Sequence, residues 1–127
     1  MPTIEPPIAG KHCLVLDDEF LIALDIQQIL EAAGAASVKC FSTSADCLAA
    51  LEAGGKFDLA VLDFKLGDGA RNSFSVAALL SGQGTPFVFV TGMTQKDVRS
   101  TEFPDAPVVE KPYQAPLLLD AVMRALK

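Results

Sequence analysis

The sequence predicts an α/β fold in which a parallel five-stranded sheet is covered by helices on both faces. Three observations in the 127 residues predict it. Five short apolar runs recur, each closed by polar or glycine residues. The segments between them carry helical periodicity rather than alternation. The runs are apolar almost throughout, as strands buried on both sides must be.

Taken in order, the runs are Cys13–Leu16, Ser37–Phe41, Leu59–Leu62, Phe87–Val90 and Val108–Val109. Asp18 is positioned to cap a first helix running to about Ala33, with Ile22, Ile26, Ile29, Leu30 and Ala33 on one face and Gly34 as its left-handed stop. Ser44 is expected to cap a second helix, with Leu48 and Leu51 inward and Gly54–Gly55 closing it. Asn72 opens a third that stops near Gly82. Pro104 and Pro107 interrupt the stretch from Met93 to Pro107, which therefore reads as a loop with a short or disordered fourth helix. A last helix begins at Ala115–Pro116, with Leu118, Val122 and Ala125 sharing a face. Right-handed crossovers turn this alternation into a doubly wound sheet of flavodoxin-like order 2-1-3-4-5, whose ligand site lies at the carboxyl ends of the strands.

Composition narrows the function classes. Half the residues are hydrophobic, yet no apolar stretch reaches the length that spans a bilayer, so no membrane partner is expected. The net charge of −6 comes without a basic stripe, which argues against nucleic acid. Cys13, Cys40 and Cys47 have no CxxC spacing, and a single histidine makes a zinc site improbable; buried, reduced thiols of a cytoplasmic protein are the expectation. Residues 1–10 hold three prolines and no basic stretch. They read as a flexible tail rather than a secretory signal, leaving one domain over 11–127.

The predicted strand ends carry the chemistry. Asp17 and Asp18 follow the first strand, Asp63 the third, Thr91 the fourth and Lys111 the fifth. Two carboxylates about 4 Å apart repel by about 4 kcal/mol at an effective dielectric of 20, so the cluster calls for a cation. Oxygen ligands at an open site favour Mg²⁺.

Asp17-Asp18, the lone Asp63 in Leu-Asp-Phe-Lys-Leu-Gly-Asp-Gly, Thr91-Gly92 and Lys111-Pro112 together resemble the receiver domain of two-component response regulators, over about residues 11 to 126. The resemblance implies that Asp63 accepts a phosphoryl group from the phosphohistidine of a sensor histidine kinase or histidine phosphotransferase. It implies that Asp18, Asp63 and the backbone carbonyl of Lys65 bind Mg²⁺, with Asp17 acting through a coordinated water. Thr91 and Lys111 are then the hydroxyl and ammonium that meet phosphoryl oxygens. Pro86-Phe87-Val88-Phe89-Val90-Thr91-Gly92 is similar to the single-domain subgroup with a Phe-Ala-Thr-Gly-x signature, Val90 standing for its alanine.

Where many receivers carry a switch Tyr or Phe, three residues before Lys111, this chain has Val108. Coupling of Thr91 to an aromatic at that place is therefore not expected, and Met93–Pro107 becomes the candidate for readout. Leu21 and Leu24 lie off the core-facing stripe of the first helix and are expected to dock the kinase. Asp25 and Asp68 read as surface and turn carboxylates, Asp97, Glu102 and Asp105 as parts of a solvated loop, and His12 as structural. The expected function is thus a stand-alone, non-enzymatic phosphoacceptor, monomeric or weakly dimeric, passing its signal to a further protein. A degenerate receiver acting as a scaffold is one alternative. A haloacid-dehalogenase-like phosphatase is another, but Asp17-Asp18-Glu19 lacks the Asp-x-Asp that it needs.

Overall fold

The computed structural model describes residues 7–64, 70–92 and 106–126, with the backbone alone at 70–72. The chain runs β1 (His12–Leu16), α1 (Phe20–Ala32), β2 (Ser37–Phe41), α2 (Ser44–Glu52), β3 (Leu59–Asp63), α3 (Ala70–Gln83), β4 (Phe87–Thr91), β5 (Val108–Glu110) and α4 (Ala115–Leu126). The strands form one sheet in the order β2-β1-β3-β4-β5. All four pairings are parallel, with Cys13 opposite Leu59 and Asp63 opposite Val90. The predicted architecture is the observed one. The segment expected to hold the short or disordered helix falls, for residues 93–105, outside the described residues.

The period of two along each strand divides the core into two layers. Cys13, Val15, Leu59, Val61, Val88, Val90 and Val109 face Ala23, Ile26 and Leu30 of α1 and Leu118, Ala121 and Val122 of α4. Leu14, Leu16, Ala60, Leu62, Phe89 and Val108 face Cys47 and Leu51 of α2 and Val76, Ala77 and Leu80 of α3. With both faces covered, the inner strands β1, β3 and β4 carry polar residues only at their tips, and there the site assembles.

The structure corrects several local expectations. Residues 7–10 are not a loose tail: Ile8 is fully buried among α1 and α4 residues, its N–H donates to Ala33 O at 3.0 Å, and Gly10 N–H donates to Gly34 O at 3.1 Å. A single isoleucine after prolines has no periodicity to announce it. Asp18 does not cap α1. Glu19 holds the N-cap position without a side-chain cap bond, and its own N–H donates to the Asp17 carboxylate at 2.9 Å. The second helix is capped by Thr43 rather than Ser44, because Thr43 is the residue in extended backbone; its Oγ1 accepts from Asp46 N–H at 3.1 Å. α3 opens at Ala70, two residues before Asn72, and the left-handed position after it falls on Gly84 (φ 76°). Gly34, at φ 106°, closes α1 as predicted. Of the cysteines, Cys13 and Cys47 are buried but Cys40 is exposed, because β2 is an edge strand only partly covered.

Candidate functional site

Four strand tips converge on one rim. Asp17 follows β1, where its N–H donates to Phe41 O of β2 at 3.1 Å, and its side chain is buried. Asp63 is the last residue of β3 and is also buried. Thr91 ends β4, fully enclosed, and its carbonyl accepts from Lys111 N–H at 2.7 Å. That bond carries Lys111, just past β5, back over the sheet. Its Nζ lies 3.4 Å from Asp17 Oδ2, 3.6 Å from Asp63 Oδ2 and 3.6 Å from Glu19 Oε1. The Lys111–Pro112 bond is cis.

Asp17, Asp18, Glu19 and Asp63 each offer a carboxylate oxygen, all within 4.8 Å of one another. At that spacing each like pair costs about 3 kcal/mol at an effective dielectric of 20. One ammonium, Lys111, is shared by three of the four. Burial raises the pKa of Asp17, and the Glu19 N–H and the Lys111 ammonium offset part of that rise. For Lys111 burial pulls the pKa down, but Asp63, Asp17 and Glu19 together outweigh it and the net shift is upward. The donor set is all oxygen, two carboxylates are buried and Asp18 and Glu19 open to solvent, so a hard divalent cation that keeps some of its water fits the residues present.

The structure thus brings together Asp17, Asp18, Asp63 and Lys111, with Thr91 in the backbone frame beside them. Lys65 lies outside the described residues. Val108 is buried opposite Phe89, in the layer that also holds Phe64 and Val76. Leu21 is 76 % exposed and Leu24 36 %, as expected.

Sequence reading missed three features. Glu19, the third acid of Asp17-Asp18-Glu19, joins the cluster, and its adjacency to the pair was the available signal. Phe20 is as exposed as Leu21, so the start of α1 is an apolar ridge. A groove of about 390 Å³ lies beside it, lined by Leu21, Ile22, Asp25, Lys111, Pro112 and Tyr113. Asp25 is more than a surface carboxylate there: it accepts from the Tyr113 hydroxyl at 3.3 Å, tying the loop after Lys111 to α1.

Among solved structures, a response regulator receiver protein from Sinorhizobium medicae WSM419 superposes with a TM-score of 0.77 at 27% identity, covering 92% of this chain and 94% of that one. The chain folds as a response-regulator receiver domain. A second similar structure is the N-terminal domain of a response regulator/sensory box/GGDEF 3-domain protein from Carboxydothermus hydrogenoformans, with a TM-score of 0.76, 26% identity, and coverage of 91% and 94%. By sequence, the chain is 24% identical over 117 residues to the phyllosphere-induced regulator PhyR of Methylorubrum extorquens, covering 92% of this chain. It spans only 44% of that regulator's length. No protein-family model matches the chain.

Proposed function

We propose that this receiver is a phosphoacceptor that takes a phosphoryl group onto Asp63 from the phosphohistidine of a sensor histidine kinase or histidine phosphotransferase. The observation that carries the reading is the shared lysine: Lys111 Nζ lies 3.4–3.6 Å from three carboxylates, two of them buried, at one rim of the sheet. Structural ion pairs rarely gather four acids around one cation, because the excess repulsion opposes folding. Such a cluster is explained if a cation and an anionic group complete it.

In the transfer, an Asp63 carboxylate oxygen attacks phosphorus, the new P–O bond forms as the P–N bond breaks, and the electron pair leaves with the imidazole. No proton needs to be abstracted from Asp63. The protein's task is therefore positioning and charge neutralisation. Lys111, already shared, turns toward one phosphoryl oxygen. The Thr91 hydroxyl donates to another. Asp18 and Asp63, with the Lys65 carbonyl, would hold Mg²⁺, and Asp17 would act through its water shell. When bound, that ion supplies the positive charge that offsets the carboxylates and the incoming phosphoryl oxygens.

The chain performs no turnover on a separate substrate in this reading and works in the cytoplasm through protein contacts. The exposed ridge of Phe20, Leu21 and Leu24 beside the rim is the surface that meets the kinase. With Val108 already buried where other receivers swing a ring, the response to phosphate passes through Thr91 into the chain that follows β4.

Labelling with a small phosphodonor and with a purified kinase, with and without Mg²⁺, tests this. Wild type should form an acid-stable, base-labile acyl phosphate only with Mg²⁺, and Asp63→Asn should form none. Leu21→Ser with Leu24→Ser should slow the kinase at least tenfold and spare the small donor. Equal labelling of Asp63→Asn refutes the assignment.

A further inference from the structure

Ser73 lies in the first turn of α3, fully buried, and its hydroxyl donates to the carbonyl of Phe64 at 2.8 Å. Phe64 is the residue immediately after Asp63. Its N–H donates to Val90 O of β4 at 3.0 Å. Its ring meets those of Phe74 and Phe89 edge-on, with centroids 5.2 and 5.5 Å apart. The residue that leaves the acidic rim is therefore gripped at its N–H by β4, at its carbonyl by α3 and at its side chain by an aromatic cluster. Peptide planes are rigid, so holding the N–H and the carbonyl of Phe64 orients the planes on both of its sides. The first plane carries Asp63, and the second leads the chain toward Lys65.

We propose that Ser73 is a positioning residue for the rim: through the Phe64 carbonyl it sets the direction of the Asp63 carboxylate. The proposal rests on the phosphoacceptor reading for its purpose, but the positioning itself does not. An apolar side chain at 73 would leave a buried carbonyl among phenyl rings without this hydroxyl. The carbonyl then turns to seek another donor, and the peptide planes turn with it. Sites that hold ions and phosphoryl groups tolerate displacements of well under 1 Å, so the effect reaches ligand affinity.

Three variants test the idea: Ser73→Ala, Ser73→Thr, which keeps the hydroxyl, and Leu30→Val, which trims the opposite core layer as a stability control. Mg²⁺ affinity is read by calorimetry. The ¹³C resonance of the Asp63 carboxyl is read by NMR in metal-free protein. Ser73→Ala should weaken Mg²⁺ binding about tenfold, as loss of a group that orients ligands commonly does. It should also displace the Asp63 resonance. Ser73→Thr should restore both, and Leu30→Val should leave both as in wild type. If Ser73→Ala does not fold, Ser73→Cys replaces it: its weaker donor should give an intermediate displacement, and an unmoved resonance overturns the proposal. So does a Ser73→Ala protein indistinguishable from Leu30→Val in both measurements. A wild type that binds no Mg²⁺ refutes the phosphoacceptor reading alone, and the Asp63 resonance then decides the role of Ser73 by itself.

Discussion

The two ends of the sheet carry similar residue types and use them in opposite ways. At the amino ends of the strands, the Asp58 carboxylate accepts from His12 N–H at 2.9 Å, Asp58 N–H donates back to His12 O at 2.8 Å, and His12 Nδ1 lies 2.8 Å from Ser37 Oγ. All three residues are exposed, and these contacts are local and reciprocal. At the carboxyl ends, Asp17 and Asp63 are buried, four carboxylates crowd within 4.8 Å, and one lysine serves three of them. The first end pairs its polar groups locally, donor to acceptor. The second holds excess like charge in a partly dry place, an arrangement that stability alone does not explain.

The contrast can be broken most forcefully at Lys111. Lys111→Met leaves Asp17 and Asp63 buried beside each other without their cation. The expected loss is about 3 kcal/mol in urea denaturation without divalent metal. Mg²⁺ should return part of it by replacing the missing charge. A variant as stable as wild type in metal-free buffer shows that Lys111 is not what holds the rim together.

Asp17→Asn tests the opposite sign. The folded pKa of Asp17 is raised above its ordinary 3.8, with burial as the main cause. Its contribution to stability is therefore complete below pH 3.8 and is lost as pH rises through the folded value, so ionised Asp17 costs stability at neutral pH. Asparagine removes that charge and should stabilise the metal-free protein at pH 7. The gain should shrink toward zero as wild type is acidified through that window. A destabilised Asp17→Asn at pH 7 means that the pairing with Lys111 outweighs the burial.

The smallest effect is expected at the other end. His12→Ala removes an exposed bond to Ser37 and should change stability by no more than about 0.5 kcal/mol, with Mg²⁺ affinity unchanged. A larger loss, or any change in metal binding, erases the distinction between the ends.

What the sequence determined by itself is the frame and the cast. Apolar runs bounded by polar residues mark four strands to within one residue, because a strand covered on both faces has no freedom to place a charge inside it; the fifth, the partly covered edge strand β2, holds Lys39 within its run. Gly34 marks the end of α1, because few other residues adopt its backbone without strain. Asp17, Asp18, Asp63, Thr91 and Lys111 were legible because each directly ends or follows a strand, and parallel topology sends all those ends to one rim. Only the tertiary structure decided the contacts made across it. The burial of Ile8 against α1 and α4, the Glu19 carboxylate near Lys111, the Tyr113–Asp25 bond and the hydroxyl of Ser73 under Phe64 each join chain segments without a periodic pattern to foretell them. Periodicity reports which side of its own element a residue occupies. Which partner waits on that side depends on how the elements pack, and packing is decided by the whole molecule at once.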